Sequence, residues 1–389
     1  MRALVIAPQP FYSPRGTPFS VYYRTLVTAE LGVEVDLLTY GQGQDVDIPG
    51  VRIHRIPDFA FLGRIKTGPS LLKLFLDVFL VLWTLGLLLR RRYDFVHAHE
   101  EAVFFCVFLQ PLFRFKLVYD MHSSLPQQLT NFQFTRSRAL IGLFAALENA
   151  SLRRADAVIT ICPALAEQAL EQVPPERHLL IENSLFDPIR LKGRGGAPPP
   201  EPAPLPLPED RPLVLYAGTF ESYQGLDVAI AAFAKVRVER PDAFLVLLGG
   251  TPAQVEEKRA LVQRLGLEEH SLLPGSVPKA VVHDVQRRAE VLLSPRSEGT
   301  NTPLKIYEQL ASGIPLVATR IPSHTQVLSD AVCFLVEPEP DSMAQGILAA
   351  LGDAERREAV VRGALALYQE KYSRSVYVAK MKRLLEVLR

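Results

Sequence analysis

Cysteine is scarce: the 389 residues contain three, Cys106, Cys162 and Cys333, far apart and each within an apolar run. That pattern excludes a disulfide framework or a cysteine-built zinc site and reads as buried thiols in a reducing compartment. Excess charge is also missing. The 43 Lys and Arg against 42 Asp and Glu leave a net charge of +1, so no overall pull toward nucleic acid is expected. No apolar run is expected to cross a membrane. The strongest candidate, residues 71–89, is interrupted by Lys73 and Asp77. That leaves 12 uncharged residues from Val78 to Leu89, where a span needs about 20. The opening residues, Met1 to Ala7, read as a short strand running into Pro8 and Pro10 and not as a leader, so a cytoplasmic location is expected. A Gly-x-Ser-x-Gly elbow is absent, and nothing supports serine hydrolase chemistry.

What is present is enough apolar residue, 48%, to build sizeable cores, which excludes disorder and collagen-like repeats. The length suggests two domains, and the clearest boundary is Lys192-Gly193-Arg194-Gly195-Gly196-Ala197 followed by a proline-rich stretch to Pro212. Short β-rich runs alternate with helical segments on both sides. Before the boundary they are Arg2–Ala7, Glu34–Tyr40, Phe95–His99, Lys116–Asp120, Ala157–Ile161 and Leu179–Glu182. After it they are Leu213–Ala217, Phe244–Leu248, Ser271–Leu273, Val291–Ser294, Leu316–Thr319 and Cys333–Val336. Such alternation predicts α/β folding with parallel sheets buried on both faces and ligands at the carboxyl ends of the strands. The expected layout is an N-terminal lobe (1–192), a Pro/Gly-rich linker (193–212), a second lobe (213–372) and a C-terminal helix (373–389). Two Rossmann-like lobes would face a central cleft, and the final helix, apolar at Val376, Val378, Met381, Leu384, Leu385 and Leu388, could pack on either lobe.

Residues 291–319 carry the most chemistry. A buried strand ends at Ser294, and a polar loop holding Arg296, Glu298 and Asn301 follows. Thr302 and Pro303 read as an N-cap and first helical position, and the helix is expected to stop at Gly313. Strand, loop and helix N-terminus together make an arrangement that holds anions. Lys305 and Glu308 share one helix face. Either Lys305 reaches a phosphate while Glu308 accepts from a sugar or ribose diol, or the two form a surface salt pair worth a few tenths of a kcal/mol.

This segment resembles the E-x7-E region of the family 4 glycosyltransferases, which have the GT-B architecture of two Rossmann-like lobes. Glu298 and Glu308 match the family's two glutamates, and Ala311-Ser312-Gly313-Ile314-Pro315 matches its Ala-x-Gly-x-Pro. Further matches span nearly the whole chain: His122 in Val-Tyr-Asp-Met-His, Ala155-Asp156-Ala157-Val158-Ile159, Ile181-Glu182-Asn183-Ser184, Leu215-Tyr216-Ala217-Gly218, Leu248-Gly249-Gly250 and Gly275-Ser276-Val277. Three departures stand out. Nine residues separate Glu298 from Glu308 instead of seven. The stretch that usually supplies Arg and Lys to the diphosphate reads Gly218-Thr219-Phe220-Glu221-Ser222-Tyr223-Gln224-Gly225 and has neither cation. The usual Gly-Gly loop after the first strand is Pro14-Arg15-Gly16-Thr17-Pro18.

The resemblance implies a retaining, metal-independent transfer of a sugar from a nucleotide donor to an acceptor, with no resident cofactor. It assigns Glu308 to the ribose, and the base is expected near Gly275, Ser276 and Val277. With the family's two cations missing, the candidates to stabilise the diphosphate are Lys305, ranked first because its helix positions it, the helix N-terminus at Thr302–Leu304, Arg296 and Arg15. Glu298 and the backbone at Asn301 and Thr302 would orient the sugar, and His122 would support it at the reacting centre. Arg296, Gly218, Thr219, Pro303 and Leu304 complete the expected donor site. Arg15, Gly16, Thr17 and His99 are candidates for the acceptor side or for a phosphate loop. The rival readings are a nucleotide-sugar epimerase and a non-catalytic nucleotide-sugar-binding subunit.

Two other groups have competing explanations. Asp45-Val46-Asp47 has the Asp-x-Asp spacing some transferases use for a metal, but its Gly/Gln/Asp loop favours solvated turn residues. His97, His99, Glu100 and Glu101 follow a strand end and lack the spacing of a zinc motif, so they read as acceptor-side lining or as structural histidines. Residues 52–154 hold 14 Lys and Arg against seven Asp and Glu, together with the apolar runs at 71–89 and Phe104–Phe115 and Phe132-Gln133-Phe134 near Arg136 and Arg138. This combination reads either as a membrane-surface site serving a lipid-linked acceptor or as a lobe core with a solvated basic rim.

Overall fold

The computed structural model describes residues 1–13, 16–59, 61, 63, 65, 70–126, 137–183, 186, 189 and 204–389. Arg15, the Phe132–Phe134 and Arg136 segment, and most of the proline-rich linker lie outside these residues. The chain divides into two compact units, Met1–Gly196 with Arg374–Arg389, and Ala197–Ser373.

The first unit is a seven-stranded parallel sheet in the order β3-β2-β1-β4-β5-β6-β7. Its strands are β1 (Arg2–Ala7), β2 (Glu34–Thr39), β3 (Val51–Arg55), β4 (Phe95–His99), β5 (Lys116–Met121), β6 (Ala157–Thr160) and β7 (His178–Leu180). The sequence reading missed β3, because Val51-Arg52-Ile53-His54-Arg55 is an edge strand with charged side chains and no continuous apolar run. Helices α2 (Leu71–Arg90), α3 (Ala102–Phe113) and α4 (Arg138–Arg154) pack on one face of the sheet through Leu80, Leu87, Val103, Cys106 and Leu152. The other face is covered by α1 (Gly16–Glu30) and the last helix, α13 (Arg374–Val387), through Val21, Val27, Tyr377, Met381 and Leu384. A short helix, α5 (Pro163–Leu170), links β6 to β7.

The second unit repeats the pattern with six parallel strands in the order β10-β9-β8-β11-β12-β13. These are β8 (Leu213–Ala217), β9 (Phe244–Leu248), β10 (Ser271–Gly275), β11 (Ala289–Ser294), β12 (Leu316–Thr319) and β13 (Phe334–Val336). The helices that intervene or follow are α6 (Leu226–Glu239), α7 (Pro252–Arg264), α8 (Lys279–Arg287), α9 (Lys305–Leu310), α10 (Pro322–Thr325), α11 (Pro340–Gly352) and α12 (Ala354–Leu367). In both sheets the strand order reverses beside the first strand, at β1/β4 and at β8/β11, and ligands bind beyond the carboxyl ends at such reversals. All three cysteines are free and buried, as their apolar surroundings predict.

Candidate active site

In the second unit the loops that leave β8, β9 and β10 enclose a pocket of about 410 Å³, lined by Gly218, Thr219, Glu221, Gly249, Gly250 and Ser276, with Val277 also at its wall. Glycine is required in two of these connections. Gly249 has φ +124°, and a methyl group there would lie 1.8 Å from the Gly218 carbonyl oxygen. Gly225 has φ +70°, and its methyl would lie 1.9 Å from the Pro295 carbonyl oxygen. The loops after β8 and β11 are tied together there, with the Ser297 N–H donating to the Tyr223 carbonyl at 2.9 Å.

Lys305 stands beside this pocket. Its ammonium lies 4.0 Å from the centre of the Tyr216 ring, and a methyl on Gly218 would come within 3.5 Å of Nζ. Nζ is buried and has no hydrogen-bond partner among the described residues, although the residue as a whole is partly exposed. Burial, and secondarily the Arg296 guanidinium, push Lys305 down to about 7. The surface salt pair is not made: Glu308 pairs with Lys279, 3.3 Å away on α8. Arg296 stacks over Tyr223 at 5.0 Å and donates to the Asn301 carbonyl at 3.0 Å. Gly299 packs so closely on this guanidinium that a methyl would lie 2.9 Å from Cζ, so the lengthened loop folds around Arg296.

The expected N-cap is corrected. The helix begins at Lys305, with Leu304 and not Thr302 at the cap, and no side chain caps it. Its first turn closes by i→i+3 bonds, from the Ile306 N–H to the Pro303 carbonyl and from the Tyr307 N–H to the Leu304 carbonyl. Pro303 therefore starts a 3₁₀-like turn, and the Thr302 hydroxyl is buried with no hydrogen-bond partner among the described residues. The helix has six residues, so little macrodipole accumulates, and positive charge at this point comes from Lys305 and Arg296. Glu298 lies exposed in the loop. His324, missed in the sequence reading, bridges the strand ends. Its Nε2 lies 3.0 Å from Ser294 Oγ and its Nδ1 2.8 Å from the Thr319 carbonyl, and burial pushes it down to about 4.

In the first unit, titratable groups gather at the carboxyl ends of β4 and β5. Asp120 is the hub. One oxygen, Oδ2, accepts from Arg24 Nε and lies 2.9 Å from His97 Nε2 and 3.4 Å from His99 Nδ1. His99 Nδ1 lies 3.0 Å from His122 Nε2, so one ring donates the shared proton and the other accepts it. All five side chains are buried. Burial alone would raise the Asp120 carboxyl, but Arg24, His122 and His99 overcome it and hold the group well below the usual carboxylate range. Burial pushes His122 down to about 4 and His99 well below the ordinary histidine range. At neutral pH the cluster is a carboxylate–guanidinium pair beside neutral His99 and His122 imidazoles, which are suited to hydrogen bonding and not to carrying charge.

Arg24 also donates to the Tyr377 hydroxyl at 3.2 Å and to the Ile181 carbonyl at 3.0 Å, so α13 completes the cluster. Sequence spacing could not have joined residues 24, 120 and 377. His97, His99 and Asp120 place three ligand atoms within 4.8 Å of one another. Asp120 Oδ2 is already engaged by Arg24, and His99 Nδ1 by His122, so this set is built as a hydrogen-bonded network. Gly16 and Thr17 open α1. Asp45 pairs with Arg55 at 3.2 Å in a surface loop.

The family described as "Glycosyl transferases group 1" matches residues 199–365, and "Glycosyl transferase 4-like domain" matches residues 25–184. An uncharacterized glycosyltransferase of Methanocaldococcus jannaschii is 24% identical over 360 residues, 88% of this chain and 86% of that protein. A phosphatidyl-myo-inositol mannosyltransferase of Mycobacterium leprae is 28% identical over 45% of this chain and 46% of its own length. Among solved structures, sucrose-phosphate synthase from Thermosynechococcus elongatus superposes with a TM-score of 0.74 at 20% identity, over 99% of this chain and 98% of that one. Anabaena HepE in complex with UDP-glucose superposes with a TM-score of 0.68 at 16% identity, over 100% of this chain and 99% of that one. The two family matches together account for most of both units, and the sheet order is that of two Rossmann-like folds. The chain belongs to the family 4-like glycosyltransferases of the GT-B architecture.

Proposed function

We propose that this glycosyltransferase takes a nucleoside diphosphate sugar in the second unit and passes the sugar, with retention and without a metal, to an acceptor held by the first. The observation that carries this reading is Lys305, a buried ammonium with no counter-anion among the described residues, beside a glycine-walled pocket. A diphosphate would supply the missing charge, and Arg296 is the second cation within its electrostatic reach. These two replace the Arg and Lys that the loop after β8 lacks. Ser276 and Val277 line the wall assigned to the base, and Glu308, half-buried beside Lys279, is assigned to the ribose. A relative in the same fold was solved with UDP-glucose, which makes a uridine donor the first to try.

In the transfer, the bond between the anomeric carbon and the β-phosphate oxygen breaks. The acceptor hydroxyl oxygen bonds to the same carbon on the same face, and its proton passes to the leaving phosphate. Cations on the diphosphate stabilise the charge that develops there. His122 has the role of a neutral hydrogen-bonding group for the transferred sugar. A lipid-linked acceptor is the class we favour, since the first unit carries an apolar, basic surface and one relative is named for a phosphatidylinositol substrate.

Titration calorimetry with UDP, GDP and ADP, with and without EDTA, tests the donor site in the wild type, Lys305→Ala and Glu308→Ala. The expected result is selective, chelator-insensitive binding of one nucleotide, weakened at least about tenfold in both variants. A folded wild type that binds none of them would overturn the assignment and favour a scaffold role.

A further inference from the structure

The outer surface of the helical layer α2–α3–α4 has an unusual composition. Helix α2 has a mean hydropathy of 2.2 over its most apolar window, yet 28% of that window is buried. Its inner stripe, Leu76, Leu80, Thr84, Leu87 and Leu88, packs on the sheet, which fixes the helix to the first unit. The outer stripe, Leu71, Leu74, Val78, Leu82 and Leu89, is left in solvent, with Leu71 77% and Leu89 75% exposed. It continues onto α3 at Phe108 and Leu112, 62% and 74% exposed, and onto α4 at Leu143. The helices touch in sequence, α2 on α3 and α3 on α4, so the stripe is one surface. Phe59, Phe75 and Phe79 form an aromatic cluster along α2, with Phe59 and Phe79 centroids 4.7 Å apart, and extend it toward Phe61.

Charge around this surface is predominantly basic, although Glu101 at the head of α3 pairs with Lys73, Arg91 with Glu34 and Lys116 with Asp156. Residues 71–92, 102–116 and 138–154 hold nine Lys and Arg and two acids, Asp77 and Glu148. Both acids are directed inward: Asp77 accepts from the Tyr40 hydroxyl at 2.6 Å, and Glu148 accepts from Ser124 and from the Leu125 N–H. Arg90 and Arg92, Arg114, and Arg154 lie where α2, α3 and α4 end and the adjacent parallel strands β4, β5 and β6 begin, so they mark one rim of the sheet. Among the described residues none of these four arginines, nor Arg138, pairs with a carboxylate.

We infer that the α2–α3–α4 face docks the protein flat on an anionic lipid bilayer. Exposed leucines enter the boundary between headgroups and acyl chains, and the arginine rim meets the lipid phosphates. A second copy seated on the same face would bring like charges together in a self-complementary interface, which disfavours that occupant. The inference extends the proposed lipid-linked acceptor, yet vesicle binding needs no turnover, so the two fail separately.

Vesicle flotation of the full chain tests it, with phosphatidylcholine vesicles against vesicles containing phosphatidylglycerol, at low and high salt. The expected result is flotation with the anionic vesicles and not the neutral ones, weakened by salt. Leu74→Glu with Leu82→Glu should lose at least about tenfold in partitioning, and Arg90→Ser with Arg114→Ser about fivefold per cation. Val238→Glu, at an exposed apolar position of the second unit, should change nothing. An unfolding midpoint unchanged from the wild type, followed by circular dichroism, shows that each variant is folded. Absence of flotation by the folded wild type would overturn the inference. So would flotation indifferent to the leucine changes, or a solution dimer, seen by light scattering, that those changes dissolve.

Discussion

Lys305 shows how the spacing of a residue and its surroundings can point to different partners. Three residues before Glu308, it suits a helix-surface pair, but its ammonium faces the Tyr216 ring while the carboxylate is taken by Lys279. Burial and Arg296 bring it to about 7, far below an ordinary lysine, so without ligand it loses its proton as the pH rises past neutrality. A bound diphosphate favours the charged form and raises the value again. Binding above pH 7 therefore takes up a proton, and affinity should fall between pH 7 and 9 by up to about tenfold per pH unit. Lys305→Arg, always protonated, should flatten that profile. Calorimetric dissociation constants at pH 7, 8 and 9 check both statements, and a profile unchanged in Lys305→Arg would mean that another group titrates.

Among the elements, the connections between strands and helices decide the pocket of the second unit. The loop after β8 accepts a hydrogen bond from the Tyr216 hydroxyl to the Thr219 carbonyl at 2.6 Å, and the loop after β9 passes directly over Gly218. Gly249→Ala would set a methyl group against backbone and not against a flexible side chain. We expect a loss of about 1–3 kcal/mol in stability and a disproportionate loss of nucleotide binding, because both loops line the pocket. Thermal unfolding alongside nucleotide titration separates the two effects; unchanged affinity would show that the loop yields without cost. Helix α9 contributes by holding Lys305 in place and not by its dipole, since six residues make less than two turns.

Across the whole molecule, much of the fold was legible because buried parallel strands are written as short apolar runs between turn signals. Eleven of those runs needed at most minor adjustment at their ends, and Leu179–Glu182 shifted to His178–Leu180. The strand that escaped, β3, is an edge strand carrying Arg52, His54 and Arg55, whose partners include Asp36 and Asp45, so its pattern reflects ion pairing as much as burial. The apolar outer stripe of α2 was also visible as composition, though composition could not separate it from a core helix until the buried stripe at Leu76 and Leu80 was located. The Arg24–Asp120–His97 network was not legible, because its members meet only when α1, β4 and β5 are assembled and α13 supplies Tyr377. The helix start at Lys305 was obscured by Thr302-Pro303, a pair that favours a cap but here opens a tighter turn.

In the proposed reaction Lys305 acts on the leaving diphosphate of a nucleotide-sugar donor. Phosphorus NMR of donor consumption tests it most directly, with UDP-, GDP- and ADP-sugars supplied in EDTA with an extract of membrane lipids as acceptor. The expected result is acceptor-dependent release of one nucleoside diphosphate, reduced about 100-fold or more in Lys305→Ala at saturating donor. Release that is undiminished in that variant, or no release from any donor by a nucleotide-binding wild type, would contradict it.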